Sequence, residues 1–266
     1  MDLTSYLLGK EAGGGGGTPT LQSKEVEITE NGQTTVTADS GYDGLSSVAV
    51  TTNVQGGGDL NEYFNDTITE NGTESKMGKI LIRKVPTFYV ASNVTSIESM
   101  FANATNLIEF EGITGGAGLT TIAGLFSGCS NLEKVNLNGI DLTTLKSFYN
   151  IFQNCTKLSE INMNQLNTKN VTGMSRTFYG CRALKNLDLS NWKTSSVTTM
   201  MDMFAWCNSL EHLDIRNFTF DTVSNYSSMF QQVPANCEII VKSDTEKTWI
   251  TSNFSNLTNV KTVAEL

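Results

Sequence analysis

Apolar residues recur along this chain with a period of 25 or 26 residues. A phenylalanine marks the same point of each period, at Phe101, Phe126, Phe152, Phe178, Phe204 and Phe230. Apolar side chains keep the same phase at seven and four residues before it, and at three, six, nine and eleven residues after it, in most periods. So extensive a match does not arise by chance, and it defines residues 94–242 as a repeat.

The repeat predicts a solenoid of about six coils, because one coil buries its apolar stripe only when neighbouring coils cover it. Each L-x-x-L-x-L segment ends in strand-like alternation, so that Leu187 and Leu189 point inward and Asp188 points outward. We expect the six strands to stack in parallel about 4.8 Å apart. The spacing Val-x-x-Met-x-x-x-Phe predicts helical turns on the other side. The predicted fold class is therefore an α/β solenoid with a parallel sheet on one side.

The solenoid needs capping segments because its end coils would otherwise expose core. Residues 243–266 are predicted to form the C-terminal cap, with a helix over 244–250 and a last strand over 257–263. Residues 56–93, which begin with three glycines, are predicted to be a hinge and an N-terminal cap containing strands at 80–82 and 85–90.

Residues 21–55 predict a small β unit of about three strands ahead of the hinge. Apolar and polar residues alternate around Val26, Val36 and Val48. Asn31-Gly32 between the first two segments is a strong hairpin signal. Because so small a unit is marginally stable alone, we expect it to pack on a partner or to self-associate as a homo-oligomer.

The first 20 residues divide into a short peptide and a tether. Residues 13–20 contain an unbroken glycine run, which behaves as a flexible linker. Residues 1–12 place four apolar side chains at helical spacing, which favours a docking peptide formed by Leu3, Tyr6, Leu7 and Leu8. A frayed terminus is the alternative. This start lacks the basic and long apolar stretches of a secretory signal, so we expect synthesis and retention in a cytoplasm.

Composition and charge narrow the classes of partner. The formal net charge is −9, from 18 basic and 27 acidic residues. Nucleic acid and anionic membranes are therefore not expected as partners, since both require basic surfaces. The apolar runs are too short for a membrane-spanning helix. Hydrophobic residues make up 39% of the chain, which supports a packed core.

The repeats resemble the BspA-type leucine-rich repeats of bacterial surface proteins. The fifth coil carries VTTM at 197–200, MFAWCNSL at 203–210 and LDI at 213–215, and the fourth carries FYGC at 178–181 and LDLSNW at 187–192. The resemblance covers residues 94–248. It implies a non-enzymatic adhesin or recognition scaffold.

The N-terminal region has a second, shorter resemblance. MDLTSYLLGK at 1–10 with the glycine run, ITENG at 28–32 and GYDGLSSV at 41–48 are similar to tail and tail-fibre proteins of phages and prophages of Gram-positive gut bacteria. This resemblance implies a virion protein that binds other tail proteins through its N-terminus.

Residues with catalytic or metal-binding chemistry are few. Four of the five cysteines share one phase of the repeat, at Cys129, Cys155, Cys181 and Cys207. We expect them to be buried free thiols, although stacked coils also place α-carbons close enough for a disulfide. A zinc site is not expected, since the chain has no C-x-x-C and one histidine, His212. We expect no cofactor and no enzymatic activity.

Two sets of residues are candidates for binding. The outward strand positions form a polar strip whose amides and carboxylates suit the hydroxyls of a glycan or the polar groups of a protein: Asn136, Asn162, Asp188 and Asp214. Solvated surface is the alternative for this strip. Tyr179 and Trp206 lie off the apolar phase and are candidates for an exposed aromatic patch, whereas Trp192 shares the phase of core residues.

The sequence leaves three functions open. The first is a virion tail or baseplate appendage whose solenoid meets a host surface protein or glycan. The second is a bacterial cell-surface or secreted adhesin of the same repeat type. The third is a glycan hydrolase, which would use a pair of carboxylates from the rows of acidic residues that solenoid strands form.

Overall fold

A computed structural model describes residues 21–28, 44–52, 67–70, 73–76, 84–85, 87–90, 92, 94–105, 107–163 and 165–266. Its elements, in chain order, are β1 (Leu21–Ile28), β2 (Gly44–Thr52), β3 (Thr67–Glu70), β4 (Thr73–Lys76), β5 (Lys84–Val85), β6 (Phe88–Val90), β7 (Glu109–Phe110), β8 (Ile113–Gly115), β9 (Lys134–Asn136), β10 (Glu160–Asn162), β11 (Asn186–Asp188), β12 (His212–Asp214), β13 (Glu238–Val241), α1 (Asp244–Asn253), β14 (Val260–Thr262) and a 3₁₀ turn (Val263–Glu265).

The four strands β1 to β4 form two separate pairs. β1 and β2 run parallel, from Leu21 beside Gly44 to Ile28 beside Thr52. These are the first and third of the three predicted strands, whereas the hairpin was predicted between the first and the second, and the second, around Val36, lies outside the described residues. Asn31-Gly32 itself lies outside the described residues, as does the strand predicted at 80–82. The antiparallel hairpin is formed by β3 and β4, which a second Asn-Gly pair separates in sequence.

The solenoid was predicted correctly, with one short parallel strand in each coil. The strands form two four-stranded sheets, in the orders β5-β7-β9-β10 and β11-β12-β13-β14. The expected stack of all six strands is therefore interrupted once, between β10 and β11. Strands remain in register on either side, with Ile161 beside Val135 and Leu187 beside Leu213.

A buried tryptophan lies at the interruption. The indole N–H of Trp192 donates to the carbonyl oxygen of Met163, just after β10, at 3.4 Å. Trp192 has no exposed surface, whereas Ile161 in β10 is half-buried and its counterpart Leu187 is buried.

The side opposite the sheet consists of tight turns. The helical turns predicted for this side are wrong, since no helix occurs between residues 107 and 163 or between 165 and 243. The residues two before and two after each phenylalanine have positive φ, at Ser99, Asn103, Gly124, Gly128, Asn150, Asn154, Arg176, Gly180, Asp202, Trp206, Ser228 and Gln232. Every second backbone N–H group in these turns therefore donates to a carbonyl of the next coil, as the Phe178 N–H does to the Met203 carbonyl at 2.9 Å.

The core is built from ladders of identical side chains. The repeat phenylalanines stack with ring centroids 5.4–5.8 Å apart. Cys129, Cys155, Cys181 and Cys207 form a second ladder, in which each thiol donates to a phenylalanine carbonyl, as Cys181 does to Phe152 at 3.2 Å. All five cysteines are free and buried, which confirms the prediction.

The C-terminal cap has the predicted helix and strand. Ser243 caps α1 in a reciprocal capping box with Glu246. Trp249 of α1 stacks on Phe220 at 4.0 Å between ring centroids, which covers the last coil. β14 then pairs with β13 and extends the sheet by one strand.

Candidate binding surfaces

The polar strip predicted on the strands is present as two separate pairs. Asn136 and Asn162 are paired in register on β9 and β10, and Asp188 and Asp214 are paired on β11 and β12. The interruption of the sheet lies between the pairs. The four side chains therefore do not form one continuous strip.

Three of these four side chains have a structural role in their own coil. In each, Oδ1 accepts a hydrogen bond from the backbone N–H two residues later in the chain. The Asn138 N–H donates to Asn136 at 3.0 Å, and the Ser190 N–H donates to Asp188 at 2.8 Å. Asp214 does the same for the Arg216 N–H at 3.1 Å. Such bonds are a standard way for Asn and Asp to form a turn. Their recurrence at the end of each strand is thus explained by turn formation without any ligand.

The charge on this face is also largely paired. The Arg216 guanidinium lies against both carboxylate oxygens of Asp214, and this contact raises the pKa of Arg216. Asn162 accepts a hydrogen bond from the Asn138 amide at 2.6 Å. The strand face therefore gives no particular indication of a ligand.

The turn face carries a second cluster, which we call the turn patch: Arg176, Tyr179, Asp202 and Trp206. The Arg176 guanidinium carbon lies 5.9 Å from the centroid of the Tyr179 ring. Its Nε is 3.0 Å from Asp202 Oδ2 in the next coil. Tyr179 and Trp206, the two aromatic residues singled out in the sequence, are both half-exposed and lie in the corresponding turns of neighbouring coils. Sequence analysis missed Arg176 and Asp202.

Three members of the turn patch occupy left-handed backbone positions. Trp206 has φ 63°, and Arg176 and Asp202 each have φ 56°. The equivalent positions of the second and third coils are all Gly or Asn, which tolerate this conformation best. A side chain such as Trp or Arg costs roughly 1–2 kcal/mol there. Arg176 is exposed and Trp206 is half-exposed, and the backbone position disfavours both side chains, so fold stability does not explain these two residues.

A groove opens on another side of the last coils, at the beginning of the strands. It has a volume of about 580 Å³ and lies between the turn that precedes β12 and the turn that precedes β13. His212 Nδ1 is 2.9 Å from Glu238 Oε2 beside it. Hydrogen bonds from Lys261 and His212 lower the pKa of Glu238.

The buried thiols are poor candidates for chemistry. Burial raises the pKa of Cys207 to about 12 and that of Cys181 well above its usual value. A nucleophile or metal ligand needs the thiolate, which burial disfavours. No group of three or more His, Cys, Asp or Glu residues that could hold a metal ion occurs within the described ranges.

Two further features bear on the predicted partners. Across the part of the chain that the structure describes, no helix has the length and apolar character needed to cross a membrane. The predicted docking peptide (Leu3, Tyr6, Leu7 and Leu8) lies outside the described residues.

The stacked coils, ladders and parallel strands define the protein as a leucine-rich repeat solenoid. Residues 82–174 match the family model described as "BspA type Leucine rich repeat region (6 copies)". Residues 146–264 match a second model, described as "Mycoplasma protein of unknown function, DUF285".

The chain is similar to two solved structures at low sequence identity. A leucine-rich repeat protein from Eubacterium ventriosum is 15% identical with a TM-score of 0.38, and the match covers 79% of this chain and 58% of that one. The chain thus spans little more than half of that protein's length. The pneumococcal vaccine antigen PcpA is 13% identical with a TM-score of 0.30, over 92% of this chain and 89% of that one. No curated protein sequence matches the chain.

Proposed function

We propose that this protein is a non-enzymatic recognition and adhesion scaffold whose turn patch contacts a host surface. The observation that carries the proposal is the placement of Arg176, which is exposed, and Trp206, which is half-exposed, at backbone positions that disfavour both side chains. Residues kept against a local conformational cost are typical of functional sites. The rigid stack of coils supplies what a recognition surface needs, since fixed side chains lose little entropy on binding.

The chemistry of the turn patch favours a protein over a glycan as its partner. Trp, Tyr and Arg are the residues most enriched at energetically dominant contacts between proteins. The Arg176–Asp202 ion pair holds the guanidinium beside the Tyr179 ring, so that an aromatic surface and a hydrogen-bonding group are presented together. We infer a host surface protein as the first candidate and a host glycan as the second.

The setting that we propose is a bacteriophage or prophage virion, in a tail or baseplate appendage. Support comes from the resemblance of residues 1–10, 28–32 and 41–48 to tail proteins. The N-terminal peptide would bind other virion proteins, and the solenoid would face outward. A bacterial cell-surface or secreted adhesin is the alternative, and BspA-type repeats are consistent with it. Tail and lysis genes beside the coding sequence would favour the virion; secretion or wall-anchor genes would favour the adhesin.

The turn patch is tested by binding of the purified chain to bacterial cells. Trp206→Asn and Arg176→Asn suit the left-handed backbone, so both variants should fold. We expect each to weaken binding by about 2 kcal/mol, roughly thirtyfold. Ser99→Asn, at the position equivalent to Arg176 in the first coil, is the matched control and should bind normally. Unchanged binding by both patch variants would refute this role.

The N-terminal docking role is tested separately. Deletion of residues 1–20 should leave a folded solenoid that is absent from purified particles, because the peptide and tether are removed without touching the coils. Incorporation of the truncated chain at the wild-type level would contradict the docking role.

A further inference from the structure

Paired strands join the coils at every boundary between them except one, within the described residues. The Glu160 N–H donates to the Glu133 carbonyl of the preceding coil at 3.0 Å. The His212 N–H donates to the Lys185 carbonyl in the same way, also at 3.0 Å. The equivalent N–H of Asn186 forms no such bond, and β10 is not paired with β11. We call this boundary between the third and fourth coils the seam.

The ion pairs on the strand side follow the same division. Lys134 Nζ lies 3.0 Å from Glu160 Oε2, and this pair links the second coil to the third. Lys185 Nζ lies 3.0 Å from Glu211 Oε1, and this pair links the fourth coil to the fifth. Among the residues that the structure describes, no ion pair links the third coil to the fourth. The seam therefore lacks both kinds of strand-side contact that the two neighbouring boundaries have.

Hydrogen bonds remain at the seam on either side of the strands. Before the strands, the Ala183 N–H donates to the Thr156 carbonyl at 3.2 Å. After the strands, the Lys193 N–H donates to Thr168 Oγ1 at 2.7 Å. The loss of contact is therefore confined to the strands themselves.

Trp192 bridges the seam in the core. Its indole N–H donates to the Met163 carbonyl at 3.4 Å, which is longer than the roughly 2.7–3.2 Å of an ordinary N–H···O bond. Its ring centroid lies 5.0 Å from that of Phe148 in the third coil. One long hydrogen bond does not replace a ladder of strand bonds, so the seam is held together less strongly than the other boundaries.

We propose that the solenoid opens first at the seam and therefore behaves as two cooperative units. The stability of a repeat protein is approximately the sum of the intrinsic stability of each repeat and the interactions between neighbouring repeats. Partial opening therefore begins where the interaction between neighbours is weakest. The turn patch lies wholly in the fourth and fifth coils, so it keeps its shape when the seam opens. The proposal does not depend on what the turn patch binds.

The test is native-state hydrogen exchange of the full chain, measured at single amides by NMR in guanidinium below the unfolding transition. The backbone amides of Phe126, Phe152 and Phe178 are matched probes. All three residues are fully buried, and each N–H donates to a carbonyl of the next coil at 2.9 Å. Of these three bonds, the one from Phe152 crosses the seam. We expect the Phe152 amide to exchange on the order of tenfold faster than the other two.

Opening from the ends of the solenoid predicts the opposite order. Phe152 lies at the middle boundary of the six coils, so fraying from the ends would leave its amide the best protected of the three. Exchange of the Phe152 amide less than about threefold faster than that of Phe126 and Phe178 would overturn the proposal.

Two variants separate opening at the seam from global unfolding. Trp192→Phe removes the indole N–H and keeps an aromatic ring, so it should speed exchange of the Phe152 amide by a further factor of roughly five. Phe218→Leu is the matched control, because it changes the equivalent buried position of the fifth coil to the leucine that the third coil has at Leu166. It should leave the Phe152 amide within about twofold of the wild-type rate. If Phe218→Leu instead accelerates all three probe amides equally, they exchange by global unfolding and the proposal is wrong.

Discussion

Gly180 tests the physical basis of the turn patch, because it occupies the same left-handed position one coil before Trp206. Its φ is +74°, and a Cβ added there would lie 2.6 Å from Asn154 Oδ1 of the preceding coil. Two costs are therefore expected for Gly180→Ala. Placing a Cβ on a left-handed backbone destabilises the fold by roughly 1–2 kcal/mol. The lower conformational entropy of the unfolded chain stabilises the fold by about 0.4–1 kcal/mol. The net destabilisation from the backbone is therefore about 1 kcal/mol.

The contact with Asn154 adds the second cost. Forcing an extra carbon into an occupied space costs about 1–3 kcal/mol, and the low end applies because Asn154 is exposed. We therefore expect Gly180→Ala to destabilise the fold by about 2 kcal/mol. In an Asn154→Gly background the contact is absent, so the same change should cost only about 1 kcal/mol. The difference is the coupling energy that a double-mutant cycle measures.

The assay is guanidinium unfolding of the four proteins in the cycle, with free energies taken from the midpoints and a shared slope. Equal costs in the two backgrounds, within about 0.5 kcal/mol, would show that Gly180 and Asn154 do not interact as described. A Gly180→Ala variant with an unchanged free energy of unfolding would show that the left-handed position carries no strain. The reason for assigning Arg176 and Trp206 to binding would then be lost.

Three further predictions concern the core and the cap. Denatured, unreduced protein should show five free thiols in a colorimetric assay, and two or fewer would contradict the cysteine ladder. In the native protein, Cys207 should react slowly at pH 8, because burial raises its pKa to about 12. Trp192→Ala should cost about 3–5 kcal/mol in guanidinium unfolding, because it empties a fully buried site; a loss under 1 kcal/mol would contradict this packing. The pKa of Glu238 is lowered from 4.5 by Lys261, so its stabilising effect is present above that pH and lost as the pH falls through the lowered value. Glu238→Gln should therefore flatten the decline in unfolding midpoint between pH 5 and 3, and an unchanged decline would rule out this linkage.

The regular part of the fold could be predicted because it depends on ladders of like residues. The phenylalanine and cysteine positions identify which side chains stack, and each coil repeats the environment of the last. The cap helix could be predicted for a local reason, since Ser243 and Glu246 form a capping box within one turn of chain. Free thiols followed from the phase of the cysteines, which places them among core residues.

The candidate site was only partly predictable. Tyr179 and Trp206 were found because they lie outside the apolar phase of the repeat. Arg176 and Asp202 were missed, although a comparison of the position two before each phenylalanine shows serine, glycine or asparagine in the other coils. Asn136 and Asp188 attracted attention by their regular spacing, but that spacing serves the turns at the ends of the strands.

The sequence by itself determined the repeat, its inward positions, the cap and the burial of the repeat cysteines, because each depends on periodicity or on neighbours along the chain. Only the tertiary structure decided the left-handed turns, the break in the sheet at Trp192 and the groove at Asn208. A helix and a series of tight turns both direct apolar residues inward at similar spacings, and they differ in whether the N–H groups bond within the coil or to the next one. That choice depends on the neighbouring coil about 26 residues away.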